Sequence, residues 1–160
     1  MKYTTKIKVN LPREALIKKL DNPNNMKHWQ RGLTHYEHTS GTPGEEGSQM
    51  ELHYDMGKRK MVMVETIIKN DFPNEFHVTY DAKGVHNIQK SYFHEIDENT
   101  TEWESQAEFQ FDSFFMKMMG FFMPGAFKKQ SMKYARDFKA FAEDGVSVAP
   151  QTESNWEEEE

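Results

Sequence analysis

The chain has 160 residues and a formal net charge of -6, from 20 basic and 26 acidic side chains. That length fits one domain, which buries about 70% of the surface its unfolded chain exposes and needs no staples. With no cysteine, a disulfide framework, a thiolate zinc site, an iron–sulfur cluster and a cysteine nucleophile are all excluded.

Residues 2–9 set Tyr3, Thr5, Ile7 and Val9 against Lys2, Thr4, Lys6 and Lys8, the alternation of a half-buried strand. Pro12 opens a short helix at its favoured first-turn position. Leu16, Ile17 and Leu20 form its apolar stripe, and Asp21, Asn22 and Pro23 stop it. A second helical turn over 23–29 carries Trp29, and a strand follows over 33–39. The glycine-rich GTPGEEG at 41–47 is turn chemistry.

Met50, Leu52 and Tyr54 then alternate with Gln49, Glu51 and His53. Residues 60–69 read as a strand with apolar side chains on both faces. After the DFPN turn at 71–74, Phe76, Val78 and Tyr80 alternate with His77 and Thr79. Residues 85–96 form another strand. Its inward set is either Asn87, Gln89, Ser91 and Phe93 or Ile88, Tyr92 and His94. Residues 101–111 alternate strongly, with Trp103, Ser105, Ala107, Phe109 and Phe111 on one side.

From Asp112 the period changes. Residues 113–123 are continuously apolar apart from Lys117, and Pro124 and Gly125 interrupt the run. Phe127, Ser131, Tyr134, Phe138 and Phe141 then fall at helical spacing. The spacing predicts one long helix over 113–143, bent or divided at Pro124. Closely spaced strands imply hairpins and an antiparallel sheet, with one face covered by the C-terminal helix.

Residues 144–160 hold six acids and no Lys or Arg, and read as a disordered tail behind a domain of residues 1–143. The remaining body is neutral, with 20 acids against 20 bases. Nucleic acid is therefore not an expected partner. The first ten residues lack a signal peptide's apolar region, and no apolar run reaches the roughly 20 residues of a membrane span. A soluble, cytoplasmic protein with no stable membrane insertion is expected. The oligomeric state is left open.

Several stretches together resemble the SRPBCC superfamily, the START-like or helix-grip group of birch-pollen-allergen-like, polyketide cyclase/dehydrase-like and lipid-transfer proteins. They are IKVNLPREALIKKLDNPNNMKHW, SGTPGEEGSQMEL, FPNEFHVTY, SYFHEIDENTTEWESQAEF and MPGAFKKQSMKYARDFKAFAED. The resemblance implies an α+β helix-grip fold: a curved seven-stranded antiparallel sheet wrapped around a long C-terminal helix, with two short helices between strands 1 and 2. It also implies a cavity between sheet and helix for lipids, polyketides or other hydrophobic molecules.

The residues themselves offer candidates for that cavity. Phe114, Met118, Phe122 and Phe127 belong to an apolar stretch that reads either as core or as a mouldable cavity wall. Gly120, Pro124 and Gly125 would let that stretch act as a lid. Among the strands, Met50, Leu52, Met61, Met63 and Val78 sit on candidate inward parities. Tyr54, Tyr80, Trp103 and Phe109 supply aromatic surface, with Trp29 near the mouth; buried tyrosine hydroxyls need partners and suit ligand contact. Glu65 shares the parity of Met61, Met63 and Ile67. If that face points inward, a carboxyl sits in an apolar cavity with a raised pKa.

The seven histidines show no metal-ligating spacing, so neither a metal nor a cofactor is expected. Three functions follow: binding or transport of a hydrophobic small molecule or lipid without catalysis; a polyketide cyclase/dehydrase-like enzyme in the same cavity; or an interaction module similar to the chaperone-ATPase-activator branch. Inward polar side chains at hydrogen-bond distance would favour the enzyme, an apolar cavity carriage, and a filled interior with an exposed apolar patch interaction.

Overall fold

A computed structural model describes residues 1–150, apart from the side chains at positions 115, 119, 120 and 124. Strand β1 (Lys2–Val9) leads into α1 (Arg13–Leu20), a 3-10 turn (Pro23–Asn25) and α2 (Met26–Trp29). Strands β2 (Leu33–Ser40), β3 (Gln49–Asp55), β4 (Lys60–Asp71), β5 (Glu75–Ala82), β6 (Val85–Asp97) and β7 (Thr100–Phe111) follow. Helices α3 (Phe114–Phe122) and α4 (Pro124–Asp144) end the described fold.

The strands form one seven-stranded sheet in the order β1-β7-β6-β5-β4-β3-β2. Every pairing is antiparallel. The sheet is not closed, and β1 and β2 are its edges. Tight hairpins explain the consecutive order from β2 to β7. Just after β2, Gly41 has a φ of 75° and a side chain there would meet the Ser48 backbone at 2.8 Å, so only glycine fits.

Two ambiguous strands resolve. In β4, Met61, Met63, Glu65 and Ile67 face the helical layer; Val62 is 46% and Ile68 53% exposed on the other side. A bulge between Ile67 and Lys69 then shifts the register, so Lys69 lies beside His77 on the outer face. In β6, Asn87 and Phe93 are buried, which turns the set Asn87, Gln89, Ser91 and Phe93 inward.

The inner face has a packed end. Val9, Leu16, Ile17, Trp29, Phe93, Phe138 and Ala142 form one cluster, with Leu16, Val9 and Phe138 fully excluded from water. Trp29 and Trp103 both meet the Phe138 ring edge-on at 5.3 Å. Burying each such ring stabilises the fold by roughly 1.5–3 kcal/mol. Ala135 and Ala142 let α4 come close to its neighbours, β1 and α2. A second cluster gathers Met26, Leu52 and Tyr54, with Met50, Met61, Met63 and Tyr80 packed against it.

The C-terminal segment departs from a single helix. Pro124 takes the first turn of α4, where its missing N–H costs nothing, and α3 ends just before it. Gly145 caps α4 in a left-handed conformation, its N–H bonded to Phe141 O at 2.9 Å. Beyond it, Val148 N–H donates to His28 O at 3.0 Å, and the His28 ring pairs with Ser147 Oγ at 2.8 Å. Of the tail expected over 144–160, Asp144 thus ends α4 and Ser147 and Val148 meet α2, while residues 151–160 lie outside the described residues.

Candidate ligand-binding site on the inner face

Strand register lines up one row across the sheet. Met50 lies opposite Glu65, Glu65 opposite Tyr80, Tyr80 opposite Asn87, and Asn87 opposite Phe109. The next row runs Ile67, Val78, Gln89, Ala107 and Tyr3. Apolar residues hold the ends of these rows, and polar ones gather in the middle.

Those polar groups are connected. Ser105 Oγ donates to Gln89 Oε1 at 2.8 Å, and Gln89 Nε2 donates to Asn87 Oδ1 at 3.1 Å. Asn87 Nδ2 donates to Glu108 O at 3.0 Å, which orients the amide. Trp103 Nε1 donates to Ser91 Oγ at 3.0 Å. On the other side, Tyr54 OH donates to Gln30 Oε1 at 2.5 Å. Tyr3 OH and Ser131 Oγ of α4 lie 2.5 Å apart.

Glu65 and Tyr80 occupy the centre. Protein atoms surround both, yet both keep partial water-accessible surface, so this stretch of the inner face is not sealed by the helical layer. Burial raises the Glu65 pKa, and the neighbouring Tyr80 hydroxyl partly opposes that. Burial also pushes the Tyr80 phenol well up, and neighbouring Glu65 pushes it further. Tyr54 is raised in the same way, first by burial and then by Tyr134 and Glu65. Burial therefore works against charge on the carboxyl and on both phenols, and it leaves a set of hydrogen-bonding groups in apolar surroundings.

Of the expected site residues, Leu52, Tyr54 and Val78 are buried in this face, and Met50, Met61, Met63, Glu65 and Tyr80 line it half-buried. Phe127 packs on Phe109 at 5.0 Å, closing the end near α4's first turn. Trp29 and Trp103 border the packed end, and Trp29 Nε1 is buried without a partner among the described residues. Phe114, Met118 and Phe122 are not brought to this face: they are 78%, 39% and 69% exposed on α3. Their helix contacts α4 and β7.

Sequence reading passed over Ser105 and left Asn87, Gln89 and Ser91 as one alternative. The available signal was polar residues on the parity of Phe93 and Trp103, which an ordinary core does not require. Two hollows, about 350 Å³ beside Lys2, Lys90 and Glu108 and about 180 Å³ beside Pro23, Lys27 and Tyr36, lie away from this row and open on the outside. In the first, Lys2 and Glu108 already pair at 3.8 Å. Neither holds a buried polar group comparable to Glu65. Among the described residues no cluster of three His, Asp or Glu side chains could hold a metal.

The fold recurs in solved structures. The ZhuI aromatase/cyclase from Streptomyces sp. R1128 superposes with a TM-score of 0.74 at 11% identity, over 95% of this chain and 99% of that one. TTHA0849 from Thermus thermophilus gives 0.71 at 8% identity, covering 89% and 97%. A norcoclaurine synthase from Thalictrum flavum, a point mutant in complex with a transition-state analogue, gives 0.67 at 11% identity, covering 89% and 93%. At such identities these likenesses establish the fold alone. No sequence among the curated proteins matches the chain. The family model described as polyketide cyclase / dehydrase and lipid transport matches residues 1–143, and the chain belongs to that family.

Proposed function

We propose that the protein binds a hydrophobic small molecule or lipid that also carries a polar group, holding it on the inner face without transforming it. The observation that supports this most is the row Met50–Glu65–Tyr80–Asn87, half-buried at its centre rather than filled by α4. The methionines adapt to the apolar body of a ligand. The carboxyl, phenol and amide give its polar end defined partners.

A second reading is a cyclase/dehydrase-like enzyme, and the Glu65–Tyr80 pair supports it. A carboxyl with a raised pKa beside a phenol is suited to general acid–base work. In a dehydration, the Glu65 carboxylate would take a proton from carbon next to a carbonyl. The Tyr80 phenol would protonate the departing hydroxyl, which leaves as water, and would recover its proton from Glu65.

Titration with cis-parinaric acid and 1-hydroxyanthraquinone tests the binding reading. One saturable site is expected, blocked by Met63→Trp, which crowds the inner face. Failure of both probes to bind, or undiminished binding to a folded Met63→Trp variant, would sink it. Glu65→Gln separates the two readings: a carrier keeps its ligand, and an enzyme loses turnover.

A further inference from the structure

Helix α3 presents its apolar stripe to solvent. Phe114, Met118, Phe121 and Phe122 stand at i, i+4, i+7 and i+8, which is one helical face. Their exposures are 78%, 39%, 79% and 69%, and Met123, 50% exposed, extends the patch. Isolated exposed apolar residues are ordinary on a protein surface; a continuous aromatic stripe marks an interaction site.

Charge identifies the partner. Residues 113–136 contain Lys117, Lys128, Lys129, Lys133 and Arg136 and not one acid, in a chain that carries 26 acids. All five basic side chains are exposed. Lys129, Lys133 and Arg136 follow one another at +4 and +3 along one side of α4. The patch is thus apolar at its centre and cationic at its margin, on a protein of net negative charge.

We propose that α3 and the first turns of α4 form a reversible docking surface for a membrane with anionic lipid headgroups. The Phe and Met stripe enters the boundary between headgroups and acyl chains, and the lysines stay at headgroup level. Cationic side chains next to such a surface gain from its negative potential. Docking is peripheral, since no described helix is long and apolar enough to cross a membrane.

Two other occupants fit less well. A second copy, related by a two-fold axis, would bring two acid-free basic patches together and suffer like-charge repulsion. The chain's own C-terminal residues start at the far end of α4, a 21-residue helix of about 30 Å. The six steps from Pro150 to Trp156 span at most about 22 Å when fully extended, less than the length of α4. The surface is distinct from the inner-face row, so its failure would leave ligand binding standing.

Co-sedimentation of the full chain with phosphatidylcholine vesicles, alone or mixed with phosphatidylserine, provides the test. Partitioning about tenfold stronger onto the anionic vesicles is expected, weakened by added salt. The exposed pair Phe121→Ser/Phe122→Ser should lose about tenfold, and Lys128→Glu/Lys129→Glu at least as much, with melting temperatures unchanged. Truncation after Pro150 should leave binding unaltered. Equal partitioning onto both vesicles, or no loss in either double variant, would overturn the proposal. So would a concentration-dependent dimer that these substitutions dissociate, or binding that appears only after the truncation.

Discussion

Helix α3 and the C-terminal half of α4 both carry apolar residues at helical spacing, and they end in opposite environments. Phe138 is fully buried between Trp29 and Trp103, and Ala135 and Ala142 are nearly so. Phe114 and Phe121 of α3 are close to four-fifths exposed. The difference does not lie in hydrophobicity, since α3 is the more apolar helix. It lies in what is available to cover each stripe. α4 meets β1 and α2, while α3 meets α4 and β7 more sparsely. An amphipathic pattern therefore shows that a face needs a partner, and the fold decides whether the partner is internal.

The sharpest way to break this comparison is to truncate a ring in each helix. Phe138→Ala should cost about 3–5 kcal/mol, because it leaves a cavity among rings that cannot collapse. Phe121→Ala should stay within about 0.5 kcal/mol of the parent. Chemical denaturation of the two variants measures both, and equal losses would show that α3 is packed in solution.

A smaller effect is expected at the end of α4. Truncation after Gly145 removes the bonds of Val148 and Ser147 to His28. Two hydrogen bonds at about 0.5–1.5 kcal/mol each should lower stability by roughly 1–3 kcal/mol. An unchanged melting temperature would show that the α2 contact contributes nothing.

The packed end and the polar row can be compared through pH. Below its ordinary pKa of 4.5, Glu65 is protonated in both folded and unfolded chains. As pH rises toward its raised folded value, the unfolded chain ionises and the folded one resists, so stability falls across that window. Glu65→Gln removes this loss. It should raise the melting temperature at pH 8 and change little at pH 4. A gain that did not depend on pH would assign the effect to packing.

The smallest effect belongs to the pair holding the middle of α4 to the loop after α2. Arg31 Nε and Nη2 donate to Asp137 at 2.8 and 3.2 Å. Arg31 is nearly half exposed, so solvent screens the pair. Asp137→Asn should cost under about 1 kcal/mol, and less in high salt, as thermal melts at two ionic strengths would show.

Much of the scaffold was legible before any coordinates. Alternation in residues 2–9, 49–54 and 101–111 located β1, β3 and β7, Pro12 marked the start of α1, and Pro124 marked a bend or division in the C-terminal helix. The candidate site was legible only in part. Met50, Glu65 and Tyr80 were named, but residues 60–69 are apolar on both faces, so their parity had no local signal. The Ser105–Gln89–Asn87 connection depends on cross-strand register, which local sequence does not encode.

Local patterning alone determined that this chain forms hairpin-linked strands closed by amphipathic helices, because backbone geometry imposes periods of 2 and 3.6 on any sequence that buries one face. Tertiary structure decided which face of β4 turns inward, through its register with β3 and β5. It also decided that polar side chains meet in the middle of that face and that the stripe of α3 turns outward. These outcomes depend on contacts between residues far apart in the chain, and the free energy of burial is settled only when the covering surface is present.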